Sequence, residues 1–487
     1  MEVYEKLSHP AAWIIFASTL ILPVWVGFLT MRRMKSQSDF FIGGRVMDKI
    51  TVALSAVASG RSSWLVLGVS GMAYTMGLSA VWSVVGYILV EMIQFVTIGR
   101  RLLIEAGRHD SITLLDYFES RFRDDKQTIR WTGALIIGIF LTAYVAAQFN
   151  AGAKALSTAV GMPFPASLAV SAALTLFYMV LGGFVAVSYN DVVRAVIMIL
   201  GLVILPVTGL FKMGGAAALM KVLQGLNPAF VDPFSLGTGA LIGFLGIGLG
   251  SPGQPHIIVR YMSIRDPDQL KLAALVGTFW NVVLAWGALC IGLIGRAMIP
   301  DPGALPQSDP EMIYLVLSAR FFGPVLYGLM VGGIFAAILS TVDSQLLVVA
   351  STWVRDFYEK IINRGRRIDE GKKLRLSRTV LVLSGILSVV LALAAKDLIF
   401  WLVLFAWGGL GASIGTSLIF SLYWRKTHPL GVTTGMISGT LITILWKLFL
   451  KGSTGVYELI PGFAGAALMI WLTSLLFNRK STAAKRR

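Results

Sequence analysis

The amino-acid sequence predicts an all-α integral membrane protein of about thirteen transmembrane helices. Three observations carry that prediction. Apolar residues make up 56 % of the 487-residue chain and charged residues only 14 %, too few charges to coat a water-exposed surface of this size. The apolar residues fall in long runs, many of them reaching the roughly 20 residues that cross ~30 Å of hydrocarbon. The basic residues sit in short segments that alternate with those runs, a pattern that sets membrane orientation.

The runs place spans near 11–31, 51–72, 76–98, 131–157, 163–183, 191–211, 236–253, 272–297, 324–350, 378–396, 398–421, 430–450 and 460–477. The first is preceded by Glu2 and Glu5 rather than by basic residues, and no small-residue cleavage site follows it. It reads as a retained helix, not a signal peptide. Segments 32–50, 99–130, 184–194, 254–271, 355–378, 422–429 and 478–487 hold 32 of the 42 Lys and Arg residues. Positive charge stays inside, so the N-terminus is expected outside and the C-terminus in the cytoplasm, in a multi-pass inner-membrane protein. The net charge of +17 then reports topology and contact with the lipid bilayer. No basic domain points to nucleic acid. The single cysteine, Cys290, forms no internal disulfide, and His9, His109, His256 and His428 have neither metal nor triad spacing. An enzyme is therefore not expected. Within 99–130, the stretch from Ser111 to Phe118 reads as a short amphipathic helix with Ser111 as its N-cap.

Two of the runs are interrupted. One carries Ala58-Ser59-Gly60-Arg61-Ser62-Ser63, the other Gly246-Ile247-Gly248-Leu249-Gly250-Ser251-Pro252-Gly253-Gln254-Pro255. Non-helical backbone is tolerated at membrane depth only where protein or a water-filled cavity satisfies its polar groups. Two such breaks in equivalent positions point to the central site of an inverted-repeat transporter. Five spans counted from each break give repeats of 51–211 and 236–421. Residues 1–50 form an extra helix and loop, and 422–487 two further helices and a basic tail. A third polar cluster, Ala337-Ile338-Leu339-Ser340-Thr341-Val342-Asp343-Ser344-Gln345, lies in the ninth span, where adjacent hydroxyls and carbonyls suit a small hard cation.

With these motifs in order along the chain, the sequence resembles the sodium:solute symporter family, nearest its sodium/proline branch. Asp39-Phe40-Phe41-Ile42-Gly43-Gly44-Arg45, Gly183-Phe184-Val185-Ala186-Val187 with Asp191, Gly253-Gln254-Pro255-His256-Ile257-Ile258-Val259-Arg260, and Ser340-Thr341 with Ser344-Gln345-Leu346-Leu347 carry the likeness. The resemblance implies a LeuT-like five-plus-five inverted repeat and alternating-access transport of a small polar or zwitterionic, amino-acid-like solute. It implies one sodium ion held by carbonyls of Ala58, Arg61 and Ala337 and hydroxyls of Ser340 and Thr341, and no other cofactor. Solute is expected near Ser59, Gly60, Ser62, Ser63, Trp64, Ile247, Ser251, Gln254 and Pro255, with Asp191 in ion coupling.

Two departures from the proline branch stand out. That branch has Asp-Met where this chain has Gly60-Arg61, so a carboxylate is lost and a mid-membrane cation gained, which is expensive and rarely idle. The expectation drawn from this is that the Arg61 side chain takes the place of sodium, paired with Asp343 or, failing that, Asp191. The carrier would then be a sodium-independent exchanger, uniporter or proton-coupled carrier, and Arg61→Met with Gly60→Asp would create a sodium dependence. The second break also lacks the branch's Trp and Tyr, with Ile247 and Ser251 in their place, which predicts a less aromatic pocket and weak proline binding. A transporter-like solute sensor is a further alternative, and oligomeric state is not legible.

Overall fold

The computed structural model describes Leu7 and residues 9–31, 47–179, 184–363, 366, 368–395 and 397–484. The expected signature at Asp39–Arg45 and the residue Gly183 lie outside the described residues. The described chain is helical, with a single isolated β-bridge between Met47 and Ile264. The helices used below are α1 (Pro10–Met31), α2 (Lys49–Gly60), α3 (Ser70–Met76), α4 (Val81–Gln94), α5 (Leu114–Phe122), α6 (Thr128–Val160), α7 (Phe164–Met179), α8 (Phe184–Met213), α9 (Thr238–Leu245), α10 (Pro255–Ser263), α11 (Leu270–Met298), α12 (Pro324–Ser351), α13 (Glu370–Ala394), α14 (Ile399–Leu410), α15 (Pro429–Leu445) and α16 (Leu459–Ala484).

Among the described residues, nine helices are long and apolar enough to cross a membrane. Shorter apolar helices include Lys49–Gly60 and Thr238–Gly253, the two segments in which the sequence shows breakers. Pro10–Pro23 and Phe164–Phe177 are shorter as well, and Trp64–Arg108 runs as one 45-residue helical stretch from the end of one expected span through the next, so nine such helices stand against thirteen hydropathy runs. Burial separates the roles. The apolar windows of α6, of α12 and of the α14 segment are about four-fifths buried, whereas those of α13, α15 and α16 are mostly exposed to where lipid would lie. Long apolar faces that meet no protein need lipid to cover them.

The first break is a stop and restart. α2 ends at Gly60, and Arg61 turns out of the helix (φ −103°, ψ 46°). The chain resumes as a π-helical turn, Trp64–Val69, that runs into α3. Ser62 Oγ accepts the Trp64 N–H at 3.2 Å. Gln148, on α6, accepts from the Ser63 N–H at 3.1 Å and from its hydroxyl at 2.9 Å. At the second break α9 tightens into a 3₁₀ stretch, Gly246–Gly253, and α10 restarts at Pro255, where a missing N–H costs nothing. The Gln254 amide donates to the Gly250 and Trp407 carbonyls, both at 3.0 Å. Glycine is required at Gly253: a Cβ there would collide with the Leu410 carbonyl, because the break packs directly on α14 and the π turn after it.

α12 is the central post, in contact with α1, α2, α6, α8 and α13. α15 and α16 pack on each other and against the end of the α14 segment. α5 lies in the basic segment between α4 and α6. Its N-cap is Thr113 rather than the expected Ser111: Thr113 and Asp116 form a reciprocal capping box.

Candidate functional site

Where α2 ends, its last carbonyls face α12. The Ser340 hydroxyl lies 3.0 Å from both the Ala58 and the Ala337 carbonyl oxygens. The Thr341 hydroxyl lies 3.1 Å from the Ser59 carbonyl and 3.2 Å from that of Ala337. Three carbonyls and two hydroxyls thus converge between two helices, and Ser340 and Thr341 are fully buried. The donor set is all oxygen, as a small hard cation requires. It holds four of the five expected ligands, and Ser59 supplies the third carbonyl.

One turn along α12, a charged layer crosses the core. Asp191, on α8, accepts from Ser55 at 2.7 Å, Ser59 at 3.2 Å and Arg260 at 2.9 Å. Arg260, on α10, also meets Ser55 at 2.7 Å and touches Ser344. Asp191 therefore links the near half of each broken segment. Asp343 is paired instead with Arg194 of α8.

Arg61 does not reach this cluster. Its guanidinium donates to Glu91 on α4 at 2.7 Å and to Asn281 on α11 at 2.8 Å, and lies 3.4 Å from the centre of the Tyr87 ring. Asn281 also donates to Glu91. The expected pairing of Arg61 with Asp343 or Asp191 is thus corrected, and with it the idea that the guanidinium fills the ion's place. The cause is a carboxylate that the motifs do not mark. Glu91 sits in the apolar run of α4 and offers the nearest counter-charge, while both aspartates are already engaged by Arg194 and Arg260. A buried arginine goes where an acid and a neutral acceptor meet it together. Gly60 makes room for Tyr87, not for a cation: a Cβ there would stand 2.6 Å from the Tyr87 hydroxyl and 3.8 Å from Glu91.

Between the two breaks lies a small pocket of about 190 Å³, walled by Gly60, Trp64, Tyr87, Tyr144, Ile247, Val403, Leu404 and Trp407. Four aromatic rings line it. The second break contributes Ile247 and no ring; Tyr87, Tyr144 and Trp407 come from α4, α6 and α14, and Trp64 from the first break. Trp407 is fixed by donating to the Ile247 carbonyl at 2.8 Å. Of the expected solute contacts, Gly60, Trp64 and Ile247 line this pocket. Ser59 serves Asp191, Ser63 serves Gln148, and Gln254 is spent on backbone carbonyls. Ser62 reaches the Tyr144 hydroxyl at 3.4 Å. Ser251 is buried in the break, and Pro255 lines a different cavity. Sequence reasoning missed Tyr87, Glu91, Tyr144, Gln148, Asn281 and Trp407, and gave Arg260 no role of its own. Glu91, Gln148 and Asn281 were detectable as polar residues within apolar runs.

The two ends of the site differ. Toward the basic loops a cavity of about 560 Å³ is walled by Thr113, Arg260, Ser344 and Asp356 among others. Beside it the buried Arg130 pairs with Asp116, Glu119 and Asp356, and Arg355 pairs with Asp116 at 3.0 Å. Burial would raise the Asp116 carboxyl, but Arg355 and Arg130 outweigh it and hold it below its ordinary value. The opposite end is closed. Trp64 stacks on Phe400 with ring centres 5.7 Å apart. Glu311, from the loop before α12, accepts the Ile399 and Phe400 N–H groups at 2.8 and 2.9 Å and meets Lys154 at 3.3 Å. Burial pushes the Glu311 carboxyl up to about 6 against the pull of Lys154.

Residues 40–439 match the sodium:solute symporter family model. The chain belongs to that family. It is 32 % identical over 464 residues to the osmoregulated proline transporter OpuE of Bacillus subtilis, covering 95 % of this chain and 94 % of that one. It is 32 % identical over 469 residues to the sodium/proline symporter of Escherichia coli, covering 95 % and 93 %. Its fold resembles a Na⁺-coupled sialic acid symporter solved in a substrate-bound outward-open state, with a TM-score of 0.81 at 18 % identity over 96 % of this chain and 98 % of that one. The protein is thus a membrane transporter of a symporter family, and no catalytic activity is indicated.

Proposed function

We propose that this protein takes up a small amino-acid-like solute, of the size and ring character of proline, together with sodium. The observation that carries the reading is the convergence of the Ala58, Ser59 and Ala337 carbonyls with the Ser340 and Thr341 hydroxyls. In the described arrangement the two hydroxyl hydrogens satisfy the carbonyls. A sodium ion at that point takes over this role, with the hydroxyls turning their lone pairs inward. It draws the end of α2 against α12 and so couples ion occupancy to the position of the first broken segment. The neighbouring pocket is lined by four rings, which suits a solute with an apolar ring, and two relatives are named as proline carriers.

The proposed topology has thirteen spans, the repeats 51–211 and 236–421 related by inversion, the N-terminus outside and the C-terminus in the cytoplasm. The open cavity then faces inward, and the Glu311 and Phe400 closure faces outward. Three of the basic residues behind the charge bias, Arg130, Arg194 and Arg260, are buried in ion pairs, and the bias stands without them. Solute and ion leave toward Arg260 and Ser344, and alternating access opens the other end.

The test is uptake of labelled L-proline into proteoliposomes of purified protein, with a sodium gradient and with choline in its place. Saturable, sodium-dependent uptake is expected. Equal uptake in both salts overturns the ion assignment, and no uptake of proline in either overturns the solute class.

A further inference from the structure

The buried ion pair of Arg61 and Glu91 belongs neither to the oxygen cluster nor to the walls of the central pocket. It bears on both. On the pocket side, Tyr87 and Glu91 stand one turn apart on α4, so a guanidinium held by Glu91 lies against the Tyr87 ring, 3.4 Å from its centre. Tyr87 is itself a wall of the pocket, with its ring centre 5.3 Å from that of Trp407 and 6.0 Å from that of Trp64. On the ion side, the main-chain N–H of Arg61 donates to the Val57 carbonyl at 2.9 Å and to the Ala58 carbonyl at 3.3 Å. That Ala58 oxygen is the one the Ser340 hydroxyl meets at 3.0 Å. One residue thus touches a pocket wall with its side chain and a cluster oxygen with its backbone.

We infer that Arg61 is a positioning residue that couples solute occupancy of the pocket to sodium affinity at the oxygen cluster. The inference rests on the solute-and-sodium reading proposed above. Three features carry it. First, the guanidinium is anchored from two helices, by Glu91 of α4 at 2.7 Å and Asn281 of α11 at 2.8 Å. A planar cation held by two such bonds has a fixed orientation. Second, there is no slack between the parts. The guanidinium is in contact with the ring, and a Cβ on Gly60 would stand 2.6 Å from the Tyr87 hydroxyl. Close-packed groups pass a displacement on rather than absorb it. Third, the receiving end can be adjusted. The Arg61 N–H is shared between two carbonyls, and its bond to Ala58 is the longer, so a small shift of the main chain changes where the Ala58 oxygen is aimed. A solute in the pocket presses on Tyr87, Tyr87 bears on the guanidinium, and the Arg61 main chain resets the Ala58 carbonyl around the ion. Linkage makes this reciprocal: bound sodium tightens the hold on the solute by the same factor.

The test is equilibrium binding of labelled sodium to purified full-length protein, with and without saturating L-proline. The unmodified protein should bind sodium about tenfold more tightly when proline is present, within the usual range of such couplings. Arg61→Met with Glu91→Met strands no charge, so this variant should still fold and bind sodium, but the gain on adding proline should vanish. Tyr87→Phe keeps the ring and should keep the gain, whereas Tyr87→Leu should lose it. A clamp that only held the fold together would weaken sodium binding equally in both conditions. The full gain persisting in the double variant therefore overturns the inference. If proline has no effect on the unmodified protein, the solute class is wrong, and the link to Ala58 is decided by sodium alone. The double variant should then bind sodium about threefold more weakly, the scale of a modest coupling through packed neighbours. Equal affinity in the two proteins overturns that link as well.

Discussion

At the first break the freed backbone is met by side chains reaching in from other helices: Gln148 from α6, and Ser340 and Thr341 from α12. At the second the backbone is met mainly from within and from directly alongside. Gln254 folds back on Gly250, and glycines 250 and 253 lie against the main chain and Trp407 of the α14 segment. One break is open to exchange of partners, since a hydroxyl can turn its hydrogen away from a carbonyl and offer a lone pair. The other is locked by shape, since main chain in van der Waals contact has nothing to exchange. An ion site belongs at the first kind of break and a stiff pivot at the second.

That contrast can be broken from either side. The largest effect is expected for Ser340→Ala with Thr341→Ala, which removes both hydroxyls from the oxygen cluster. Apparent sodium affinity in uptake should fall at least about a hundredfold, taking roughly 1.5–3 kcal/mol for each oxygen withdrawn from the cation. Next is Arg61→Met, which leaves Glu91 buried without its cation and should lower stability to unfolding by about 3–5 kcal/mol. The double variant Arg61→Met with Glu91→Met should recover most of that stability, because paired removal leaves no stranded charge. Thermal unfolding in detergent reads both. Gly253→Ala sharpens the comparison at the other break. The new methyl meets the Leu410 carbonyl, and a cost of about 1–3 kcal/mol is expected, with slower turnover and sodium affinity unchanged.

The smallest effect concerns pH at the closed end. Burial holds Glu311 at about 6, above the ~4.3 of a free glutamate, so the closed arrangement binds the proton more tightly than an opened, hydrated one. Acid therefore favours closure. The contribution is fully present below the free value and is lost as pH rises through about 6. A cysteine introduced at Val403, in the central pocket behind the closure, should be less accessible to a polar reagent added from the closed side at pH 5 than at pH 7.5, and Glu311→Gln should flatten that difference.

Most of the architecture was legible because membranes restrict the options. Long apolar runs must be helices, and clusters of Gly, Ser and Pro in two of them had to be breaks. The oxygen cluster was legible only in part: Ser340-Thr341 stands out as two hydroxyls in an apolar helix, but its meeting with the end of α2 was expected from the family resemblance alone. What remained hidden was partnership. Nothing local to Arg61 says that its acid lies on α4 rather than α12, since both Glu91 and Asp343 lie in apolar runs. The choice is made by the fold and by the prior engagement of Asp343 with Arg194. The pocket's aromatic walls were hidden likewise, because Tyr87, Tyr144 and Trp407 come from three separate helices and are aimed by packing.

The contact of Gly60 with Tyr87 and of Arg61 with Glu91 also sets a direction on mutational history. Placing an acid at residue 60 alone would drive a side chain into the Tyr87 hydroxyl and set a second carboxylate beside Glu91. Placing Met at 61 alone strands Glu91. Even the pair Gly60→Asp with Arg61→Met leaves two acids facing each other across Tyr87. At least three positions on two segments must change together before the proline branch's chemistry can occupy the first break. The arrangement works as a ratchet: once Glu91 and Arg61 are both present, single steps toward that chemistry are closed.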